Sequence, residues 1–132
     1  MSLAETITTE KISNLSLVPL EDLAKAYKGQ DWIDSQGDLY NFQPELEWSE
    51  VFVSQTLNVP WANVTNQSDF TNAIIWKMLS KVYRNCSSGI GDQYYIKHRD
   101  AEDNYKLEMS TARATTIDNQ VTKPESGWNW LA

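Results

Sequence analysis

Apolar side chains recur at helical spacing in four stretches of this chain. Leu20, Leu23, Ala24 and Tyr27 fall at i, i+3, i+4 and i+7, one face of a short helix over residues 19–30. Pro19 suits its start, Glu21 and Asp22 sit in its first turn, and Gly29 ends it. A second helix is predicted over 43–58, with Pro44 and Glu45 in its opening turn. Trp48, Val51, Phe52 and Gln55 line one side of it and Leu46, Val53 and Leu57 another, an apolar surface wide enough for contacts on two flanks. The strongest pattern is "FTNAIIWKMLSKVYRN", residues 70–85, with Ser68 or Asp69 as its cap and Lys81 and Arg84 toward its negative end. Ile75, Leu79, Val82 and Cys86 form one stripe, and Phe70, Ile74 and Met78 an adjacent one, so this helix is expected at the centre of a bundle. "SSGIG" (87–91) breaks it. In "DQYYIKHRDAEDNYKLEMSTARA" (92–114), Tyr94, His98, Ala101, Tyr105 and Ala112 repeat every three or four residues, with Met109 beside them. The other face carries Lys97, Arg99, Glu102, Asp103 and Lys106, including the four-apart pairs Arg99–Asp103 and Glu102–Lys106. One face is packed and one is wet.

The rest of the chain lacks a period. Residues 1–18 are rich in Ser and Thr and are expected to form an extended arm. Residues 31–42 hold Asp34, Gln36 and Gly37, but placing Gly37 at the sixth position of a calcium loop puts Trp32 first and Gln43 twelfth. The two essential carboxylates are missing, so this stretch is a turn. Residues 58–67 are a loop carrying Pro60 and an exposed Trp61, and 116–132 are a polar strip ending in "GWNWLA". There is no internal repeat. The expected fold is all-α: a small bundle of three to four helices over 19–115, an N-terminal arm over 1–18 and an extended C-terminal tail over 116–132.

Charge changes the picture more than composition does. The net charge is −7, and residues 1–65 hold ten acids against three bases, whereas 66–132 hold eight of each. An acidic surface argues against gripping nucleic acid, since that affinity comes from cations displacing counterions from phosphates. It is compatible with standing beside DNA, because a wall past which DNA slides should repel phosphates. Six Trp and six Tyr against three Phe favour half-wet aromatic contacts of the kind found at interfaces. The single cysteine excludes an intramolecular disulfide, the start "MSLAETITTE" lacks the features of a signal peptide, and no stretch nears the ~20 apolar residues of a membrane span. Cytoplasm-like conditions are expected, and the sequons at Asn14, Asn63, Asn66 and Asn85 are read as chance matches.

Catalytic chemistry finds little to stand on. A nucleophile needs a base and an orienting group, a phosphate site a glycine-rich cradle, and a metal convergent ligands. His98 and Glu102 lie four apart and form at most half a metal site, and Cys86 belongs to an apolar stripe. No catalytic, cofactor-binding or metal-binding residue is singled out, and no enzyme is expected.

The segments "NAIIWKMLSKVYRN" and "DQYYIKHRDAEDNYKLEMSTA" carry a recurring pattern: an apolar central helix, a Ser/Gly break, and an amphipathic helix rich in Tyr and charge. With a long tail following, the chain resembles the head-to-tail connector (adaptor, or head-completion) proteins of tailed bacteriophages. The resemblance covers about a third of the chain and involves no signature motif. It implies a structural virion protein in the neck between capsid and tail, assembled in the host cytoplasm. There it would form a homo-oligomeric ring, dodecameric by the family's pattern, that contacts the portal and the tail or neck proteins. DNA would pass through the lumen without specific binding. This chain departs from the family's pattern in its tryptophan content and its acidic first half.

Trp128 and Trp130, two apart, point to the same side of an extended segment, and with Leu131 they form the candidate partner-binding residues. Residues 116–127, fully extended, reach roughly 40 Å, so a neighbouring subunit is within range. The alternative is that the tail folds back over its own bundle. A different class also stays open, a monomeric acidic inhibitor or immunity-type module that mimics nucleic acid. If the acidic half faces a DNA channel, the isolated protein should show no detectable duplex binding in a mobility-shift assay at physiological salt. Tight, salt-sensitive binding is the contrary result.

Overall fold

The computed structural model describes residues 2–116 and 121–122. Within them six helices run in order: α1 (Leu3–Thr6), α2 (Thr9–Leu15), α3 (Leu20–Lys28), α4 (Gln43–Thr56), α5 (Thr71–Cys86) and α6 (Gln93–Thr111). A two-residue ladder pairs β1 (Ala114–Thr115) antiparallel with β2 (Val121–Thr122). The class is all-α, a small helical bundle, and the four periodic stretches are its four longest helices.

The centre is α5, as its two apolar stripes require. Nine of its sixteen residues are buried, including Ile74, Ile75, Met78, Leu79 and Val82. The flanking helices supply the lining: Ala101, Tyr105 and Met109 from α6, Leu46 and Val53 from α4, and Leu23 and Ala24 from α3. The helix starts one turn differently from its predicted cap. Residues 67–70 form a 3₁₀ turn, and α5 begins at Thr71 after the buried Phe70, with no side-chain cap. Ser68 instead offers its carbonyl to the Thr71 hydroxyl at 2.8 Å.

The N-terminal segment departs from the extended arm expected of it. Residues 3–6 and 9–15 are helical, and Ala4, Ile7 and Ile12 join the same core as α5. Locally, Glu5 accepts from the Ser2 amide at 3.2 Å and Thr8 Oγ1 accepts from the Lys11 amide at 3.3 Å. Helices of four and seven residues do not persist in water by themselves, so docking must hold them. Tyr83 of α5 does part of this: its buried hydroxyl accepts from the Leu17 amide at 2.8 Å and meets Ser16 Oγ at 3.2 Å.

The chain leaving α6 is also pinned. Thr65 donates its amide to the Thr115 carbonyl at 2.7 Å, and Asn66 Oδ1 accepts from the Thr115 amide at 2.8 Å. Val64 and Thr116 form an isolated antiparallel bridge, and Thr116 is buried. The tail predicted over 116–132 therefore begins paired, and most of it lies outside the described residues. Among those described, no helix is long and apolar enough to cross a membrane.

Leu79 is fully buried at the middle of α5. Leu79→Ala should lower unfolding free energy by about 2–5 kcal/mol in denaturant melts, as for other buried leucines. A change near zero would remove Leu79 from the core.

Candidate protein-interaction surface

Two carboxylates of α4 are interior. Glu45 and Glu50 are 8% and 6% exposed. Desolvating a carboxylate is costly unless donors replace its water. Glu50 receives the Leu3 amide at 2.9 Å, the Ala4 amide at 3.3 Å and the Trp61 indole N–H at 2.9 Å. Those amides open α1, where the helix dipole also favours an anion. Trp61, expected in the open, is half-buried instead, its ring edge-on to Phe70 at 5.9 Å. Glu45 accepts from the hydroxyls of Tyr27 (2.8 Å) and Tyr40. Burial and then the neighbouring Glu45 push both phenols above their ordinary value, keeping them protonated donors. Two of the ten acids in the first half are thus structural pins.

Glu45 thereby holds the 31–41 loop in shape. Tyr40 stacks edge-on with Trp32 at 5.4 Å and carries the Lys28 ammonium 4.5 Å above its ring. Asp34 Oδ1 accepts from the amides of Gln36 and Asp38, both at 2.8 Å, and Gly37 takes the positive φ (84°) the turn needs. The loop leaves Asp31 and Asp38 exposed, with Ile33 between them 59% exposed.

On another part of the surface, α4, α5 and α6 enclose a cleft of about 410 Å³ lined by Trp48, Lys77, Ser80, Lys81, Arg84 and His98, among others. Its cations lie at i, i+4 and i+7 on α5, the strip that helix leaves uncovered. Lys77 is neutralised by Glu102 at 2.8 Å and lies 4.2 Å over the Phe52 ring. Lys81 sits 4.2 Å over Trp48 and Arg84 5.4 Å over Tyr95. Among the described residues neither Lys81 nor Arg84 has a carboxylate within ion-pair distance. An aromatic face attracts a cation without cancelling its charge, so the cleft keeps two positive groups beside an indole that is 41% exposed.

Glu102 turns inward to Lys77 and Ser80 (2.6 Å to Ser80 Oγ), not outward to Lys106, and Arg99 forms no ion pair with Asp103. His98 Nδ1 lies 3.0 Å from the Ser80 carbonyl, which only accepts, so this nitrogen carries a proton. Ser80 Oγ gives its own proton to Glu102 and lies 3.0 Å from the same Nδ1. Ser, His and Glu thus meet, but the acid touches the serine and not the ring, and no ring lone pair faces the hydroxyl. The group is a structural network. Burial, then Asp92, raises the Cys86 thiol to about 11, which keeps it protonated at neutral pH. Among the described residues no cluster of three His, Cys, Asp or Glu side chains is arranged to hold a metal.

Trp128, Trp130 and Leu131 lie outside the described residues. The sequence reading missed Trp48, Lys81 and Arg84 as a surface, although the cations' spacing on an otherwise apolar helix was there to read.

Comparison with protein-family models, curated proteins and solved structures finds no match to this chain. Functional inference therefore rests on the surface itself.

Burial pushes the Glu102 carboxyl up, but hydrogen bonds from Lys77 and Ser80 and the charge of Lys77 outweigh it, leaving it below its ordinary value. Its contribution to stability is therefore complete above the unfolded value, near 4.5, and is lost as pH falls through the lower folded value. Glu102→Gln should cost about 1–2 kcal/mol at pH 7. It should also flatten the loss of stability between neutrality and strong acid, read from denaturant midpoints across that range. An acid limb as steep as wild type would show that Glu102 does not carry it.

Proposed function

We propose that this protein is a structural subunit of a tailed-phage virion. In this reading it is a head-to-tail connector that assembles as a homo-oligomeric ring on the portal and links capsid to tail, with DNA passing through the lumen unbound. The observation that carries the reading is a closed core coexisting with uncovered apolar side chains on two helices. Trp48 and Val51 stand out on α4, and Ile96 and Leu107, 54% and 63% exposed, stand out on α6. A ring subunit presents two different surfaces, because each copy is a donor to one neighbour and an acceptor to the other. Support also comes from the sequence resemblance. Within this reading Trp128, Trp130 and Leu131 anchor the tail to a neighbour or to the portal.

Sedimentation and electron microscopy of the concentrated protein should reveal a closed ring. Trp128→Ala with Trp130→Ala should leave the domain's melting curve within about 0.5 kcal/mol of wild type, as for substitutions that leave the folded domain's contacts alone. It should weaken assembly by about 2 kcal/mol or more per contact. A species that stays monomeric at every concentration is the behaviour of the acidic inhibitor instead, and it would remove the connector reading.

A further inference from the structure

We infer that the α4–α5–α6 cleft is the seat for the 31–38 loop of a neighbouring copy, Ile33 packing on Trp48 while Asp31 and Asp38 meet Lys81 and Arg84. The inference rests on the ring reading and specifies its subunit contact.

Three observations converge on this pairing. The first is charge. Lys77 has its carboxylate within the chain, whereas Lys81 and Arg84, one and two helical turns further along the same strip, meet only ring faces among the described residues. Both line the cleft beside Trp48, and in a protein with eighteen acids and eleven bases such a paired positive site suits the carboxylates of another copy. The second is shape and polarity. The cleft combines an exposed indole with cations, and the loop combines an exposed isoleucine with flanking carboxylates. An apolar anchor at the centre with polar and charged groups at its rim is the arrangement of specific interfaces.

The third is rigidity. The loop is held from within by Asp34, by the positive-φ Gly37 and by the Trp32–Tyr40–Glu45 chain of contacts. A loop already fixed in one shape loses little further entropy on docking. Glu45, buried and far from any chemistry, gains a purpose in this light. The loop and the cleft share no residue, so in the ring each copy inserts its loop into one neighbour and receives the loop of the other, a heterologous contact. Repeated with a rotation that closes, such a contact gives a ring.

The test uses two charge-reversed full-length chains, Lys81→Glu with Arg84→Glu, and Asp31→Lys with Asp38→Lys. Asp31, Asp38 and Arg84 are exposed and Lys81 is half-buried, and thermal melts of each variant establish that folding is intact. Alone, each variant places like charges in the contact and should associate at least about a hundredfold more weakly than wild type at physiological ionic strength. Mixed in equal amounts, every contact again joins opposite charges, so assembly should return as an alternating ring in sedimentation. Ile33→Asp should weaken association as well, and Ile33→Leu should not. If wild type assembles and either reversed chain alone assembles equally well, the loop-in-cleft contact is overturned while the ring stands. If both reversed chains fail alone and the mixture also fails, the pairing of these two surfaces is overturned. A wild type that never assembles removes the contact and the ring together.

Discussion

Everything in this fold answers to the burial of α5. A sixteen-residue helix with apolar side chains around most of its circumference has no solvated face of its own to spare, so the remaining chain must cover it from several directions. The two long helices α4 and α6 take most of that surface. The N-terminal third closes the rest with α1, α2 and α3, pieces too short to be helical on their own account. Their positions are fixed by polar pins that reach across the core. Glu50 holds the start of α1, Glu45 holds Tyr27 of α3 and Tyr40 of the following loop, and Tyr83 holds the link between α2 and α3. Each pin is a buried polar group whose desolvation is offset by donors or acceptors from the segment it holds. Removing one partner would therefore both free a segment and strand a buried group.

The same constraint shapes the surface. Covering α5 on all sides but one leaves a single strip, and Lys77, Lys81 and Arg84 occupy it. Long cationic side chains suit such a strip because their stems lie along apolar surface while their charged ends stay wet. Here the ends lie over Phe52, Trp48 and Tyr95, rings supplied by the two covering helices. The aromatic excess noted in the composition thus has a location. Trp48 and Tyr95 line the seam between core and solvent.

The long elements were legible in the sequence and the short ones were not. Helices α4, α5 and α6 span fourteen, sixteen and nineteen residues, enough turns for a period of 3.6 to declare itself. Helices α1 and α2 offer too few apolar positions to define a face. Their local signals, Ser2 with Glu5 and Thr8 at a cap, were present in a Ser/Thr-rich stretch that reads equally well as an arm. What holds α1 is Glu50, more than forty residues away, and what holds the end of α2 is Tyr83, more than sixty away; no local pattern announces either partner. The same holds for Trp61, placed in the open by its loop context and half-covered by its bond to Glu50. Helical spacing correctly paired one face of α6 with the core, but it sent Glu102 outward to Lys106. The competing partner, Lys77, lies on another helix and offers a less solvated ion pair.

The uneven charge of the chain acquires structure from these placements. Of the acids in the first half, Glu45 and Glu50 are interior, and Asp34 spends one carboxylate oxygen on its own loop. What remains outward includes Asp31 and Asp38, fixed on that loop, while Lys81 and Arg84 of the second half stand together at the cleft on α5. A subunit of net charge −7 repels its copies at a distance, yet that repulsion is screened beyond about 8 Å at physiological ionic strength. Charges brought into contact in a partly desolvated cleft are screened far less. Global repulsion and local attraction therefore act over different ranges. On the contact proposed here, misaligned encounters meet the first without the second, and the register that joins loop to cleft gains from both the carboxylates and the apolar anchor between them. On that proposal, an acidic surface with a basic recess would favour that geometry of association over others, the property that the proposed ring demands of its subunit.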